Sequence, residues 1–222
     1  MIRRGFLGAL TVVLSLVGCG SPEDSPGESE AELRTQGGCT AYESDLAPRI
    51  EEGEATIERL GTPYGLIVVE ALRSKQVIVR PFCDLTHDEF LEVKKSVELT
   101  DFPGSDDEQY AALRAGEVRA MRSVERALYG FQWGKHVYLS SKMSKADVVR
   151  TLGHETKHVL RGAEHRNYDD QRVACIEEFE AYKAEILVTR TEVTAEEIRD
   201  IHAKLRELFD LSKLAKDNCG YK

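Results

Sequence analysis

Apolar positions recur at helical spacing over most of the chain and crowd together in a few short runs. From Ala41 to Leu60, Leu46, Ile50, Ile57 and Leu60 stand out from an acidic background, the pattern of an amphipathic helix that Gly61-Thr62-Pro63 then stops. Tyr64–Leu72 and Gln76–Pro81 are β-branched runs on either side of Arg73-Ser74-Lys75, so they are predicted to form a hairpin. Thr86-His87-Asp88-Glu89 has the spacing of a capping box and opens a helix to about Leu99. After a loop around Pro103-Gly104, a single helical pattern covers Glu108–Leu128, and Lys135–Ser140 alternates like a strand. Ser144-Lys145-Ala146-Asp147 starts the next helix; two more are predicted over about Asp170–Thr189 and from Thr194-Ala195-Glu196-Glu197 to about Leu211. The sum is an α+β fold, dominated by helices, with a small sheet ahead of the helix that begins at Ser144.

Length and composition leave this picture as one domain, since 222 residues with ordinary apolar and charged fractions suit a single core. Charge removes one class of partner. Lys and Arg number 30 against 39 Asp and Glu, and no basic block offsets the excess, so the surface repels phosphate backbones and nucleic acid is not expected. No internal repeat is present at solenoid or propeller periods.

The first forty residues divide off from the domain. Arg3 and Arg4 precede an uncharged run from Gly5 to Gly18 that is too short for a membrane span of about 20 residues, the layout of a signal peptide over residues 1–18. Leu16-Val17-Gly18-Cys19 resembles the lipobox of bacterial lipoproteins, which implies cleavage before Cys19 and lipid attachment to it. The resemblance further implies a membrane-anchored envelope protein, and Gly20 after the cysteine leans toward the outer membrane. Residues 19–38 are Ser, Pro, Glu, Gly and Asp with almost no large apolar side chains, a tether that cannot offset its ordering entropy by burial. Residues 39–222 then form the domain. With Cys19 set aside, Cys39, Cys83, Cys175 and Cys219 fit two disulfides in an oxidising compartment, with three pairings open.

The chemistry concentrates in Thr151–His165, which holds three of six histidines. His154 and His158, four residues apart, project from one helix face about one turn apart and can share a tetrahedral ion. Glu155 beside them completes HExxH, in which a carboxylate takes a proton from water without itself ligating the metal. The motif lies in a capped helix behind a strand, with uncharged Thr151-Leu152-Gly153 before it and Val159-Leu160 after it. In these features the sequence resembles the zincin metallopeptidases over about 40 residues around the active-site helices; charged Lys157 departs from the usual uncharged interior positions. The resemblance implies a Zn2+-dependent peptidase acting on peptide or protein substrates.

A third ligand is needed, and two candidates compete. His165 follows His158 at one residue more than the metzincin spacing. Glu178, in Glu177-Glu178-Phe179-Glu180-Ala181-Tyr182 on the next helix, matches the Glu-x-x-Ala spacing of the thermolysin-like gluzincins and is preferred, with Glu177 as fallback. Glu178, Tyr182 and Glu185 share one stripe of that helix, whereas Glu180 points away. As a tyrosine or histidine does in many zincins, Tyr182 or Tyr168 is a candidate donor to the oxyanion, and Lys135–Ser140 a candidate edge for pairing with extended peptide. The competing expectation keeps the fold without turnover: an inactive zincin-like lipoprotein serving as an interaction module.

Overall fold

A computed structural model describes residues 39–97, 99, 102–162 and 171–209. Cys19, His165, Tyr168 and Cys219 therefore lie outside the described residues. The first helix, α1 (Thr40–Leu60), buries Leu46, Gly53 and Ile57 on one face and ends at Gly61, whose φ of 62° is the left-handed turn a helix terminus favours.

The next segment corrects the sequence expectation. Pro63–Arg73 is a helix, α2, and not the first strand of a hairpin. Thr62 caps it by accepting from the Gly65 amide at 3.0 Å, and Pro63 occupies the first turn, where its missing N–H costs nothing. These start signals outweigh the β-branched content, because Val68, Val69 and Ala71 bury one helical face in the core that α1 also enters.

The second run does form a strand, β1 (Ile78–Pro81), followed by a 3-10 turn at Phe82–Asp84. Cys83 in that turn is disulfide-bonded to Cys39, which fixes the start of α1 beside the sheet. Helix α3 (His87–Ser96) carries the expected capping box of Thr86 and Glu89. The single helix expected over Glu108–Leu128 is two: α4 (Asp106–Arg114), capped by Ser105 and Glu108, and α5 (Val118–Ala127). Gly116 between them has φ of 69°, a conformation that breaks the helix at the junction.

A short strand not foreseen in the sequence, β2 (Gly130–Trp133), turns at Gly134 into β3 (His136–Leu139). The sheet order is β1-β3-β2, with β3 parallel to β1 and antiparallel to β2. Lys135–Ser140 thus supplies the central strand, so it is not an edge for peptide; β1 and β2 are the edges. Three helices complete the described fold: α6 (Lys145–Arg161), capped by Ser144, α7 (Gln171–Leu187) and α8 (Ala195–Leu208), with a capping box of Thr194 and Glu197. Helix-dominated α+β architecture with a three-stranded sheet is therefore the observed class.

Apolar burial falls into three groups that explain this layout. Ile57, Val68, Val137, Leu152 and Val188 join α1, α2, β3, α6 and the end of α7. Phe82, Phe90, Leu113, Val124 and Phe131 fill the space between the sheet and α3–α5. Cys175, Phe179, Ile201 and Leu205 tie α8 to α7. Cys175 is itself disulfide-bonded. Helix α6 lies between the sheet and α7, with its motif facing α7.

Candidate metal centre

Helix α6 can approach α7 closely because residue 153 has no side chain. A Cβ at Gly153 would lie 2.9 Å from Val188 Cβ and 3.0 Å from the Ala184 carbonyl oxygen. The Tyr64 hydroxyl donates to the Gly153 carbonyl at 2.8 Å, holding this turn of α6 against α2 as well. Gly153→Ala is expected to push the two helices apart, lowering stability by about 1–3 kcal/mol. A denaturation midpoint shifted without a change in slope checks this.

The approach brings three side chains to one point. His154 Nε2 and His158 Nε2 are 3.3 Å apart; His154 Nε2 is 3.5 Å from one oxygen of Glu178 and His158 Nε2 is 3.3 Å from the other. Charge-assisted hydrogen bonds are shorter, about 2.7–2.9 Å. Donor atoms bound at about 2.0–2.1 Å to a tetrahedral ion are separated by about 3.3–3.4 Å, which is the spacing seen. Neither oxygen of Glu178 makes a well-formed hydrogen bond with a described residue, although the side chain is buried. A buried carboxylate without donors needs positive charge to offset its desolvation. The His154, His158 and Glu178 set could thus hold a metal ion.

Without an ion, protons do part of that work. Burial opposes charge on His154, but the Glu178 and Glu185 carboxylates outweigh it and hold the imidazole pKa up at about 10. Burial likewise opposes charge on Glu178, and His158 and His154 outweigh it, pulling the carboxyl down to about 2. The folded pKa of His154 lies above its ordinary 6.5, so its contribution to stability is complete below pH 6.5 and is lost as the pH climbs through 10. The folded pKa of Glu178 lies below the ordinary 4.5, so its contribution is complete above pH 4.5 and is lost as the pH falls through 2. The two overlap fully between pH 4.5 and pH 6.5. Metal-free protein should therefore lose this contribution on the alkaline side, whereas stabilisation by a divalent ion, which needs neutral His154, should grow with pH. Melting temperatures with and without chelator, from about pH 5 to about pH 9, check the crossing trends.

Glu155 is buried beside these three side chains, and neither of its oxygens has a hydrogen-bond partner among the described residues. Burial raises its pKa; the two histidines pull it back and the Glu178 and Glu185 charges push it further up. A carboxylate so placed has the proton affinity a general base needs. Its position depends on β2: a Cβ at Gly130 would fall 2.7 Å from Glu155 Oε1, so only glycine leaves the carboxylate where it is.

The remaining sequence candidates separate clearly. Tyr182 packs its ring edge-on against His154, with centroids 4.9 Å apart, and burial followed by the surrounding Glu178, Glu185 and Glu155 charges raises its pKa, so the hydroxyl stays a donor. Glu177 stands apart from the cluster and pairs with Arg161 at 3.6 Å. Lys157 is only half-buried, whereas His154, Glu155 and His158 are buried. His202 stacks on Phe179, and His87 packs on Tyr110 beside Asp107.

One residue had no role assigned from sequence. Glu185 Oε2 lies 3.8 Å from His154 Nδ1, the ring nitrogen facing away from Glu178. At that distance the pair is an electrostatic contact longer than a hydrogen bond, on the side from which a carboxylate can orient a ligating histidine. Its place seven residues after Glu178, on the same stripe of α7, was the available signal. Compared with protein-family models, curated proteins and solved structures, the chain matches none.

Proposed function

We propose that the protein is a zinc-dependent peptidase anchored to the cell envelope through lipid on Cys19. The observation that carries this reading is the convergence of His154, His158 and Glu178 at 3.3–3.5 Å beside the unpaired carboxylate of Glu155. His154, His158 and Glu178 hold the ion, an all N/O donor set that suits zinc. Zinc, when bound, supplies Lewis acidity toward an amide carbonyl and acidifies water. Glu155 accepts the proton of the attacking water and delivers it to the departing amine nitrogen. Glu185 keeps His154 in its ligating orientation, and Tyr182 donates a hydrogen bond to the carbonyl oxygen as negative charge develops there.

Residues 19–38 serve as the tether between membrane and domain, and the Cys39–Cys83 disulfide accords with an oxidising compartment.

One observation favours a second reading, a metal-stabilised interaction module without turnover: the site is closed, with His154, His158 and Glu178 each no more than 4% exposed. Digestion of an unbiased peptide library separates the two. Peptidase activity predicts cleavage abolished by chelator and restored by zinc; an intact library with full zinc content supports the module.

A further inference from the structure

Helix α5 runs against the charge of the protein as a whole. The chain carries a net charge of −9, yet residues 118–129 hold Arg119, Arg122 and Arg126 against the single acid Glu125. At 3.6 residues per turn, Val118, Arg119, Arg122 and Arg126 fall within about 100° of one another, and all four are exposed. The opposite face buries Ala120, Met121, Ser123 and Val124. Glu125 lies at the border and is occupied by Ser141, whose amide and hydroxyl donate to it at 2.8 and 2.9 Å. Arg119 and Arg126 have contacts of their own and remain exposed nonetheless. The result is a basic stripe about two turns long on an acidic protein.

The stripe lies where the chain enters the domain. Cys39 and Tyr42 pack against the apolar cluster to which α5 contributes Ala120, Met121 and Val124, and Cys39 is fixed there by its disulfide to Cys83 of the same cluster. Arg122 and Glu125 both act electrostatically on the Tyr42 hydroxyl, and the Lys142 ammonium stands 5.8 Å from the centre of the Tyr42 ring. The residues that lead up to Cys39 have the opposite charge: Glu23, Asp24, Glu28, Glu30 and Glu32 against Arg34 alone. The step from Glu32 to Cys39 spans up to about 25 Å of chain and α5 is about 15 Å long, so these acids are within reach of the stripe.

Continuity of the chain makes the encounter intramolecular, at an effective concentration of about millimolar, so exposed ion pairs that are individually weak add to a populated contact. An anionic bilayer would have to accept the whole domain with its excess of acids, whereas the tether brings only its own carboxylates.

We propose that the acidic stretch Glu23–Glu32 docks along the basic stripe of α5 and folds the tether back on the domain. Residues 19–38 would otherwise extend up to about 70 Å, so the contact sets how far the domain stands from Cys19. It needs neither zinc nor turnover and goes beyond the peptidase reading.

Zero-length carbodiimide cross-linking of the full-length protein tests the proposal. Arg122→Lys and Arg126→Lys keep the charge and supply an amine that couples only to a carboxylate in contact. The expected result is cross-linked peptides joining residues 118–129 to residues 19–38 of the same chain, lost in about 1 M salt, where the screening length falls to about 3 Å. As a second measurement, cleavage after Glu28, Glu30 and Glu32 by a glutamate-specific protease should be about tenfold faster in the triple variant Arg119→Gln, Arg122→Gln, Arg126→Gln at unchanged melting temperature. Cross-links to acids of residues 39–222 only, cross-links between differently isotope-labelled copies, equal cleavage of the triple variant, or binding to phosphatidylglycerol vesicles that the triple variant loses without any cross-link to the tether would each overturn it.

Discussion

Glu155→Gln is expected to cut the rate of peptide cleavage by about 10²–10⁴-fold while zinc content stays that of the wild-type protein. The exchange keeps shape and volume but removes the only function the account gives to this side chain, acceptance of a proton. Nothing in the ligand set should move, because Glu155 shares the turn with His154 and His158 without joining the cluster they form with Glu178. Stability should hold or rise, since a buried carboxylate with no hydrogen-bond partner at either oxygen is replaced by a neutral amide. Rate measured at saturating peptide, together with metal analysis of the same preparation, reads both halves. Equal loss of rate and zinc would mean that Glu155 is a ligand or a structural support.

Glu178→Gln is expected to have the larger effect on the metal. Structural zinc sites bind with about 10–16 kcal/mol, so losing the anionic member of a three-residue set should cost about 3–5 kcal/mol, two orders of magnitude or more in affinity. The variant also removes the main attraction that keeps His154 protonated when no metal is present. Its imidazole should therefore titrate lower than in the wild type, a shift that NMR of the ring protons reports directly. Competition with a chromophoric chelator measures the affinity. His165→Ala provides the contrast: with Glu178 as third ligand it leaves affinity unchanged, whereas a site completed by His165 would show the reverse pattern.

Much of this centre was legible in the sequence because its determinants are local. Helical periodicity alone places His154 and His158 on one face, and the caps at Thr86, Ser144 and Thr194 announce their helices through a few adjacent residues. Glu178 emerged from its resemblance to the Glu-x-x-Ala spacing of the gluzincins, supported by the stripe that periodicity gives it with Tyr182 and Glu185. What stayed hidden depends on contacts between distant segments. Tyr64–Leu72 has strand-like composition, and burial of Val68 and Val69 with α1 and α6, together with the Thr62 cap, decides for a helix. Gly116 divides α4 from α5 by one backbone angle that composition does not announce. Strand β2 is four residues long and exists through its pairing with β3. The roles of Gly130 and Gly153 are likewise tertiary, since each matters for what would collide with a side chain there.

Two imidazoles from α6 and one carboxylate from α7 are proposed to share a single zinc ion. X-ray absorption at the zinc edge, on protein loaded with one equivalent, tests it most directly. The expected spectrum shows a low-coordinate light-atom shell at about 2.0–2.1 Å with imidazole scattering from two histidines, and loss of that shell's carboxylate oxygen in Glu178→Gln. Failure to bind one equivalent of zinc, sulfur in the first shell, or a spectrum unchanged by His154→Ala and Glu178→Gln would contradict it.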